Sequence, residues 1–495
     1  MKNSISSQKV PLLEKIGYSM GDGGANLAFQ MMMMFQMFFY TDVFGIKATA
    51  AGTILLLARF VDAFVDPFVG VMADRTNSKW GKYRPWVLWT ALPFAVFFVL
   101  AFTTPELAER VKVIYAGVTY TLFMAVYSFN NTPYSSLGGV MSGDINERTS
   151  IASVRFVTAT VATFVVQGLT LPIVTKMGNG QTNDPKGWFF TILLFAVVSG
   201  VLMVITFFSS KERIQPPKDQ KNDFRQDAKD LMGCIPWKSM FFLTLFLFIT
   251  LALFGSAMNY YFKYFVDPAA LQHFLLGFGL VVDGDLNGWQ KFLNMFGLIS
   301  KNDMSNVFSV GFSMFNMAGQ LITLVGVLLL SQSMSKIFGK RNVFVLCLAL
   351  TAVFTAMFFF VDPTQIKLMF IINLLKNAAY SVTIPLLWAM MGDVADFSEW
   401  KNTRRATGLC FAGIVFALKA GLGLGGLVCG GIISAFGFVA NTAQTAESLV
   451  GIRLSASIVP AAIFAICSLI LLFYPITKKM NVTIQGELEE RRKNQ

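Results

Sequence analysis

The sequence predicts an all-α membrane protein in which twelve transmembrane helices form two six-helix bundles around a central cavity. Of its 495 residues, 55% are hydrophobic and 14% are charged, whereas soluble domains carry about 25% charged residues. Twelve apolar runs are long enough to cross a hydrocarbon core of about 30 Å. They lie near residues 17–44, 49–73, 85–104, 113–140, 149–175, 187–209, 238–265, 307–331, 342–361, 366–392, 406–435 and 454–475.

The hydrophilic stretch 210–236 alternates basic and acidic residues between the sixth and seventh runs, which is typical of a cytosolic linker. It therefore separates an N-terminal bundle, 1–209, from a C-terminal bundle, 237–476. The last residues, 477–495, are predicted to form a cytosolic tail. A long outer loop, 266–306, holds two apolar stretches that are too short to span, and we expect these to lie on the outer surface of the protein or the membrane.

The protein is expected in a bacterial inner membrane, and the distribution of basic residues predicts that both of its termini lie in the cytoplasm. In this orientation the cytosolic segments hold about 26 Lys and Arg and the outer segments hold about ten, as the positive-inside rule requires. This topology accounts for the net charge of +12 without a nucleic-acid partner. The five cysteines have no paired spacing that would indicate disulfides or a zinc site. No arrangement of a nucleophile and a base indicates an enzyme, and we expect a monomer.

Two acidic residues, Asp62 and Asp66, interrupt the second apolar run and share a helix face with Arg59. A charged side chain near the centre of a bilayer costs about 2.5–3.5 kcal/mol even on insertion scales. A face that keeps two acids one turn apart predicts a site for a cation or a proton. The alternative is a buried ion-pair network that only fixes helix packing.

The other polar residues of the spans also follow a pattern. Helices three, six, nine and twelve have no Asp, Glu, Lys or Arg away from their ends, whereas the remaining helices carry polar or charged residues inside the spans. These residues include Asp22, Asn26, Asn130, Asn131, Arg155, Lys376 and Lys419. Helices three, six, nine and twelve are therefore predicted to face outward, and the other eight to line a water-filled cavity. Short basic loops after helices two and eight, Gly70–Arg84 and Gly339–Arg341, indicate a duplicated transporter fold.

Several motifs in order over nearly the whole chain resemble the glycoside–pentoside–hexuronide:cation symporter family of the major facilitator superfamily. The motifs are Gly17-Tyr18-x-x-Gly21-Asp22, Arg59-x-x-Asp62-x-x-x-Asp66-Pro67, Trp80-Gly81-Lys82-x-Arg84-Pro85, Asn131-Thr132-Pro133-Tyr134 and Gly392-Asp393-x-x-Asp396-x-x-Glu399. The resemblance implies the major facilitator fold and inward transport of a sugar or glycoside with Na⁺, H⁺ or Li⁺. No cofactor is expected beyond the coupling ion.

The resemblance and the chemistry of sugar recognition together suggest three sets of site residues. Cation coupling is assigned to Asp62, Asp66, Ser128 and Asn131, with the two acids as ligands if the ion is Na⁺. Sugar binding is assigned to Asn26, Tyr127, Asn131, Arg155, Trp388 and Lys419, which offer polar groups and aromatic faces. A network that supports gating is assigned to Arg59, Asp22, Asp74, Arg84, Asp393, Asp396, Arg404 and Arg405.

Three departures from the sodium/melibiose pattern limit what the resemblance implies. Asn26 and Asn131 stand where that subgroup has acids, and Ser135 replaces a stacking tryptophan. A galactoside is therefore not indicated, and the loss of negative charge leaves H⁺ as well supported as Na⁺, with a slight preference for H⁺. Two other functions stay open, a lysophospholipid carrier of the same fold and a sugar sensor that does not transport.

Overall fold

The computed structural model describes residues 9–142, 145–213, 231–282, 285–402 and 407–493, and these residues form an all-helical protein. Helices one to six are Leu12–Met34, Ala48–Arg75, Arg84–Ala101, Glu109–Val140, Ile145–Met177 and Pro185–Ser209. Helices seven to nine are Ile235–Tyr260, Val307–Leu329 and Lys340–Met357. Helix ten comprises Ile366–Ser381 and Thr383–Asn402, helix eleven is Thr407–Ala435, and helix twelve comprises Ala446–Ala456 and Ile458–Leu472.

Ten of these helices are long and apolar enough to cross a membrane, and the protein is an integral membrane protein. The other two long helices are helices one and two, which carry Asp22 and the Arg59–Asp66 cluster. The all-helical fold is therefore confirmed, and the ten spans are consistent with the predicted twelve. Shorter helices are Gln36–Phe38, Pro268–Leu276, Gly288–Met295, Ser331–Phe338 and Lys478–Lys493.

Contacts divide the chain into two compact units. Unit one comprises Met1–Lys218, Asp267–Met317 and Phe438–Ala443, and unit two comprises Asp219–Val266, Ala318–Gly437 and Gln444–Gln495. The same irregularity occurs at matching places in the two halves of the sequence, because a π-helical turn follows helix one at Phe39–Val43 and helix seven at Tyr261–Phe265. This correspondence agrees with a duplicated sequence.

Unit one has an aromatic core around Trp188 of helix six, which is fully buried. The Trp188 ring stacks on Phe102 at 6.1 Å and lies 5.5 Å from Phe39 and 6.0 Å from Phe35. Its indole nitrogen donates a hydrogen bond to the carbonyl oxygen of Thr182 at 2.7 Å. Aromatic rings supply large buried area and the indole N–H is hydrogen-bonded, so Trp188 joins helix six to the residues that directly follow helices one and three.

In unit two, helices seven and eleven approach so closely that only glycine fits at the contact. A Cβ added to Gly425 would lie 2.5 Å from the carbonyl oxygen of Ile249, and one added to Gly421 would lie 2.5 Å from that of Leu245. Small residues permit such backbone contact in membranes, where packing replaces the hydrophobic effect as the force between helices.

Replacing Gly425 with alanine is therefore expected to destabilise unit two by about 1–3 kcal/mol, as overpacking does in a close-packed interior. Thermal unfolding in detergent would measure the change as a lower midpoint. Gly431→Ala is the matched control, because a Cβ at this position of the same helix meets nothing within 4 Å. Equal midpoints for the two variants would contradict the close contact.

The outer segment belongs to unit one and packs on helix five. Lys176 of helix five donates hydrogen bonds from Nζ to the carbonyl oxygens of Asn294 and Met295, at 2.7 and 2.8 Å. These carbonyls end the short helix Gly288–Met295, where a cation is favourable. Within the outer segment, an isolated β-bridge pairs Val281 with Ser300. The expected position on the outer surface of the protein agrees with these contacts.

The C-terminal residues form a docked helix, Lys478–Lys493, where the sequence predicted only a tail. Ile484 and Leu488 are 1% and 4% exposed, and the indole nitrogen of Trp400 donates a hydrogen bond to Glu487 Oε2 at 2.6 Å. The spacing of four residues places the two apolar side chains on one helix face.

All five cysteines of the chain are buried.

Candidate cation and sugar sites

Helices two and four present two acid–hydroxyl pairs, one turn apart. Ser128 donates a short hydrogen bond from Oγ to Asp62 Oδ1, and Thr132 donates one from Oγ1 to Asp66 Oδ1 at 3.2 Å. Asp62 is completely buried, whereas Asp66 is half-buried. The four side chains form a ladder of carboxylate and hydroxyl oxygens, which suit a hard cation or a transferable proton.

Arg59 lies one turn before Asp62 on helix two, next to an aromatic wall. It is 4% exposed, and its Cζ atom lies 5.6 Å from the centre of the Phe29 ring. Tyr127 borders the same ring, with its centroid 6.3 Å from that of Phe29 and 6.1 Å from that of Phe94. The wall therefore places Tyr127 on helix four and Arg59 on helix two around Phe29 of helix one.

Arg155 and Asp22 form an ion pair on a platform of two tyrosines. Arg155 Nη2 lies 3.0 Å from Asp22 Oδ1, and Arg155 Cζ lies 4.9 Å from the ring centre of Tyr134 and 5.8 Å from that of Tyr18. The two rings stack at 4.7 Å, and each hydroxyl donates to the carbonyl oxygen of the other residue, at 3.1 and 3.0 Å. Because each tyrosine is hydrogen-bonded to the other, the platform fixes the position of the guanidinium.

The ion pair keeps hydrogen-bonding capacity for a ligand. The side chains of Arg155 and Asp22 are 28% and 14% exposed, so both reach solvent. Arg155 Nε is buried without a hydrogen-bond partner among the described residues. A guanidinium with five donors and a carboxylate acceptor side by side can bind the adjacent hydroxyls of a sugar.

The neighbouring asparagines of helix four have different roles. Asn130 is 2% exposed and donates a hydrogen bond from Nδ2 to Thr90 Oγ1 at 2.7 Å, which joins helices four and three. Asn131 is half-buried, and its side chain forms no hydrogen bond within the part of the chain that the structure describes. Asn26 Nδ2 donates to the carbonyl oxygen of Asp22 on its own helix at 2.9 Å. The structure therefore does not join Asn131 to the acid–hydroxyl ladder by a hydrogen bond.

The two remaining sugar candidates belong to unit two. Trp388 of helix ten is 42% exposed, and Lys419 of helix eleven is half-buried. All the other cation and sugar candidates lie on helices one, two, four and five of unit one.

The predicted gating residues make contacts within their own units. In unit one, Tyr83 donates a hydrogen bond to Asp74 Oδ1 at 2.6 Å, and in unit two, Lys340 Nζ lies 2.8 Å from Asp393 Oδ2. Burial, followed by the hydrogen bond to Asp74, raises the pKa of Tyr83, which keeps its hydroxyl protonated as the donor. Asp396 is half-buried in helix ten. Arg404 and Arg405 lie outside the described residues.

Two arginines at equivalent places bind the ends of two other helices. Arg84, the first residue of helix three, donates from Nη2 to the carbonyl oxygen of Phe207 at 2.8 Å, at the end of helix six. Arg341, the second residue of helix nine, donates from Nε to that of Leu471 at 3.0 Å, at the end of helix twelve. The last carbonyls of a helix have no partner within it, and a cation is favourable there. The basic loops thus perform the same task in both halves.

Two features of unit one are absent from the sequence-based sets. Thr132 completes the ladder, and it could have been found because it follows Ser128 by four residues, as Asp66 follows Asp62. Glu212 accepts hydrogen bonds from the backbone N–H groups of Lys82, Tyr83 and Arg84, at 2.8–2.9 Å. No sequence pattern connects Glu212 to this loop, because about 130 residues separate them.

Comparisons with known proteins identify the class of transporter. The family model described as MFS/sugar transport protein matches residues 17–297 and 302–478. The chain is 34% identical to the "Inner membrane symporter YicJ" of Escherichia coli (strain K12), over 99% of this chain and 96% of that protein. It is 32% identical to the "Isoprimeverose transporter" of Lactiplantibacillus pentosus, over 98% of this chain and 93% of that protein.

A solved structure from work on proton dependent oligopeptide transporters supports the fold. It has a TM-score of 0.63 and 14% identity, and the match covers 95% of this chain and 99% of that one. Fold and comparisons together define an integral membrane transporter of the major facilitator type. The chain belongs to the MFS/sugar transport protein family, so the resemblance and the predicted class of cation-coupled sugar symporter are confirmed. The lysophospholipid carrier and the sensor are not favoured.

Proposed function

We propose that the protein carries a sugar or small glycoside into the cell together with H⁺ or Na⁺, by alternating access, and that the acid–hydroxyl ladder of helices two and four is the coupling site. The observation that supports this most is the complete burial of Asp62 beside Ser128, one turn from Asp66 and Thr132. The names of the relatives agree, since one is a symporter and another a transporter of isoprimeverose.

Coupling follows from the cost of an ionised carboxylate in a low-dielectric site. Asp62 is fully buried, so the binding of a Na⁺ ion or a proton, which neutralises its carboxylate, changes the free energy of the site strongly. A sugar that binds more tightly to the neutralised carrier is transported together with the ion, since affinity for one ligand then depends on occupancy by the other.

Sugar binding is assigned first to the Arg155–Asp22 pair. Arg155 offers donors and Asp22 offers an acceptor, while the Tyr134 ring fixes the guanidinium. Polar groups of fixed orientation and apolar faces are what a sugar site requires. The further assignments are Asn26, Asn131 and Tyr127 from unit one, and Trp388 and Lys419 from unit two.

Uptake into proteoliposomes tests this function and separates the two ions. The purified full chain is reconstituted, and uptake of a panel of labelled glycosides, isoprimeverose among them, is driven either by a pH gradient at zero Na⁺ or by a Na⁺ gradient at constant pH. We expect uptake with the pH gradient, because Asn26 and Asn131 remove two acids of the sodium/melibiose pattern. Failure of every glycoside to enter under both gradients would overturn the proposal.

The hydroxyls of the ladder provide a second prediction. Ser128→Ala and Thr132→Val are expected to raise the ion concentration needed for half-maximal uptake by roughly tenfold or more, because hydrogen bonds to charged groups contribute about 1.5–3 kcal/mol. Ser136→Ala is the matched control, since this hydroxyl lies one turn further along helix four and donates to the carbonyl oxygen of Thr132. Equal ion dependence in all three variants would exclude the hydroxyls from the site.

The same proposal includes placement and assembly. Both termini are assigned to the cytoplasm on the basis of the basic residues, and the bacterial inner membrane is assigned because a relative is an inner membrane symporter of Escherichia coli. The transporter is expected to work as a monomer, without an enzymatic activity or a nucleic-acid partner.

A further inference from the structure

The short helix Gly288–Met295 of the outer segment has an apolar face, formed by Trp289, Phe292 and Met295. These residues follow one another at intervals of three, so their side chains share one side of the helix. Each of them is more than half exposed, and the rings of Trp289 and Phe292 stack with their centres 5.6 Å apart. An exposed apolar face of this kind marks a surface that contacts something other than water.

The helix is attached to the rest of unit one through polar groups. Gln290 donates a hydrogen bond from Nε2 to the carbonyl oxygen of Gly279 at 2.9 Å, and Lys176 binds the carbonyl oxygens of Asn294 and Met295. A helix on the surface of a protein in water turns its apolar face toward the core. Here the polar contacts face the protein and the apolar face is turned away from it, which indicates an apolar medium on the outside.

The contacts with helix five place the short helix at the depth of the outer headgroups. The apolar span of helix five, Ser150–Met177, has 28 residues, which corresponds to about 42 Å of helix. A bilayer with its headgroups is about 40–45 Å thick, so the last turn of this span lies at its outer edge. Lys176 belongs to that turn, and a Cβ added to Gly297 would lie only 2.4 Å from the carbonyl oxygen of Pro172. Tryptophan and amphipathic helices are typical of this depth.

A lipid-facing surface begins beside these contacts. Met177 follows Lys176 directly and lines an apolar groove on the outside of the spanning helices, together with Phe190, Leu193, Leu194 and Val197 of helix six. Exposed apolar side chains on spanning helices face the acyl chains of the bilayer. In the outer segment, Leu276 and Phe278 are exposed too, next to the Gly279 carbonyl that Gln290 binds. The apolar face therefore lies between apolar residues that are also uncovered by the protein.

We propose that the short helix Gly288–Met295 lies in the outer leaflet of the lipid bilayer, with its apolar face among the acyl chains, and thereby anchors the outer segment to the membrane. Lys291 is exposed and precedes Met295 by four residues, so it lies at the edge of the apolar face. From there its ammonium group can extend to the lipid phosphates. The inference goes beyond the proposed function, because it assigns a contact with lipid and involves neither the sugar nor the coupling ion.

The fluorescence of Trp289 tests the contact in the native chain. The full-length protein is placed in nanodiscs of phosphatidylethanolamine and phosphatidylglycerol, and the spectrum of Trp289→Phe is subtracted from that of the wild type, which has eight tryptophans. We expect phospholipids that are brominated near the headgroup end of their acyl chains to reduce the difference signal by at least about twofold, as for a ring at the membrane interface. Iodide in the water is expected to have little effect. Quenching by iodide and not by the brominated lipids would overturn the proposal.

Two labelled cysteines provide a matched comparison on the same helix. Phe292→Cys and Asn294→Cys replace exposed residues on opposite sides of the helix, since two residues correspond to about 200° of rotation. A fluorescent label at Phe292→Cys is expected to be quenched at least about twofold more than one at Asn294→Cys by lipids with a spin label on the acyl chain. Equal quenching at the two positions would contradict the anchor.

The same labels separate a lipid contact from a contact between proteins. Shielding of the Phe292→Cys label from both the spin-labelled lipid and iodide would show that protein, such as a second copy of this chain, covers the apolar face, and it would also overturn the proposal. The five native cysteines are buried and add little signal. None of these measurements requires transport, so a failure of the proposed function would leave their result unchanged.

Discussion

Replacing Asp62 with asparagine is expected to abolish concentrative uptake of the sugar. Asparagine has nearly the same shape, but it has no charge for an ion to neutralise, so sugar affinity no longer depends on H⁺ or Na⁺. Coupling free energies between two ligands are typically about 1–3 kcal/mol, which corresponds to roughly 5- to 150-fold in affinity. Because Asp62 is fully buried and bound by Ser128, we expect its loss to remove this whole factor.

The ratio of sugar affinities with and without the coupling ion measures this coupling directly. The accumulation of sugar in proteoliposomes measures whether the coupling drives transport against a gradient. The control is Asp285→Asn, the same change at an exposed acid of the outer segment. Asp62→Asn is expected to retain sugar exchange without a gradient, which shows that the variant is folded. If it still accumulated sugar against a gradient, Asp62 would have no role in coupling.

A second large loss, of both stability and sugar uptake, is expected when one partner of the Arg155–Asp22 pair is replaced. Removal of one partner leaves the other charge without its counterion, which costs about 3–5 kcal/mol when the pair is fully buried. Arg155 is 28% exposed, so water offsets part of this cost, and we expect a loss of about 1–3 kcal/mol in stability. Uptake by Arg155→Gln or Asp22→Asn is expected to fall below detection, because the proposed sugar donors or acceptor are lost as well.

The double variant separates stability from recognition. Asp22→Asn combined with Arg155→Gln removes both charges, so stability is expected to recover while uptake does not. The Glu14–Arg213 pair is the control, since its N–O distance is 2.7 Å and its side chains are buried to a similar degree or more. Arg213→Gln is expected to lower stability and to leave uptake per folded molecule unchanged. Recovery of uptake in the double variant would show that the Arg155–Asp22 pair serves only the fold.

Most of the architecture could be predicted from the sequence, because a bilayer imposes a simple rule on helix length and polarity. The charged residues Asp62 and Asp66 were conspicuous for the same reason, since acids are rare inside membrane spans. The position of Ser128 relative to Asp62 came from family resemblance. Thr132 was overlooked, although its spacing from Ser128 repeats that of the two acids and could have indicated it.

Contacts between distant parts of the chain could not be predicted in this way. Glu212 binds the loop at Lys82 through backbone N–H groups. Because nearly every residue has such a group, the sequence does not indicate which of them is bound. Lys176 holds the outer segment through carbonyl oxygens for the same reason. The docking of the C-terminal helix was not predicted, because its charged residues outweigh Ile484 and Leu488, the two apolar residues that are buried.

The burial of all five cysteines has a practical consequence for measuring conformational changes of the carrier. Each of them is at most 3% exposed, so water-soluble maleimide reagents will find few native thiols to modify. A single cysteine introduced on an exposed surface could then be labelled with a dye or spin label with little labelling of the native cysteines. Pairs of such labels, one on each unit, would record how the distance between the two units changes during a transport cycle.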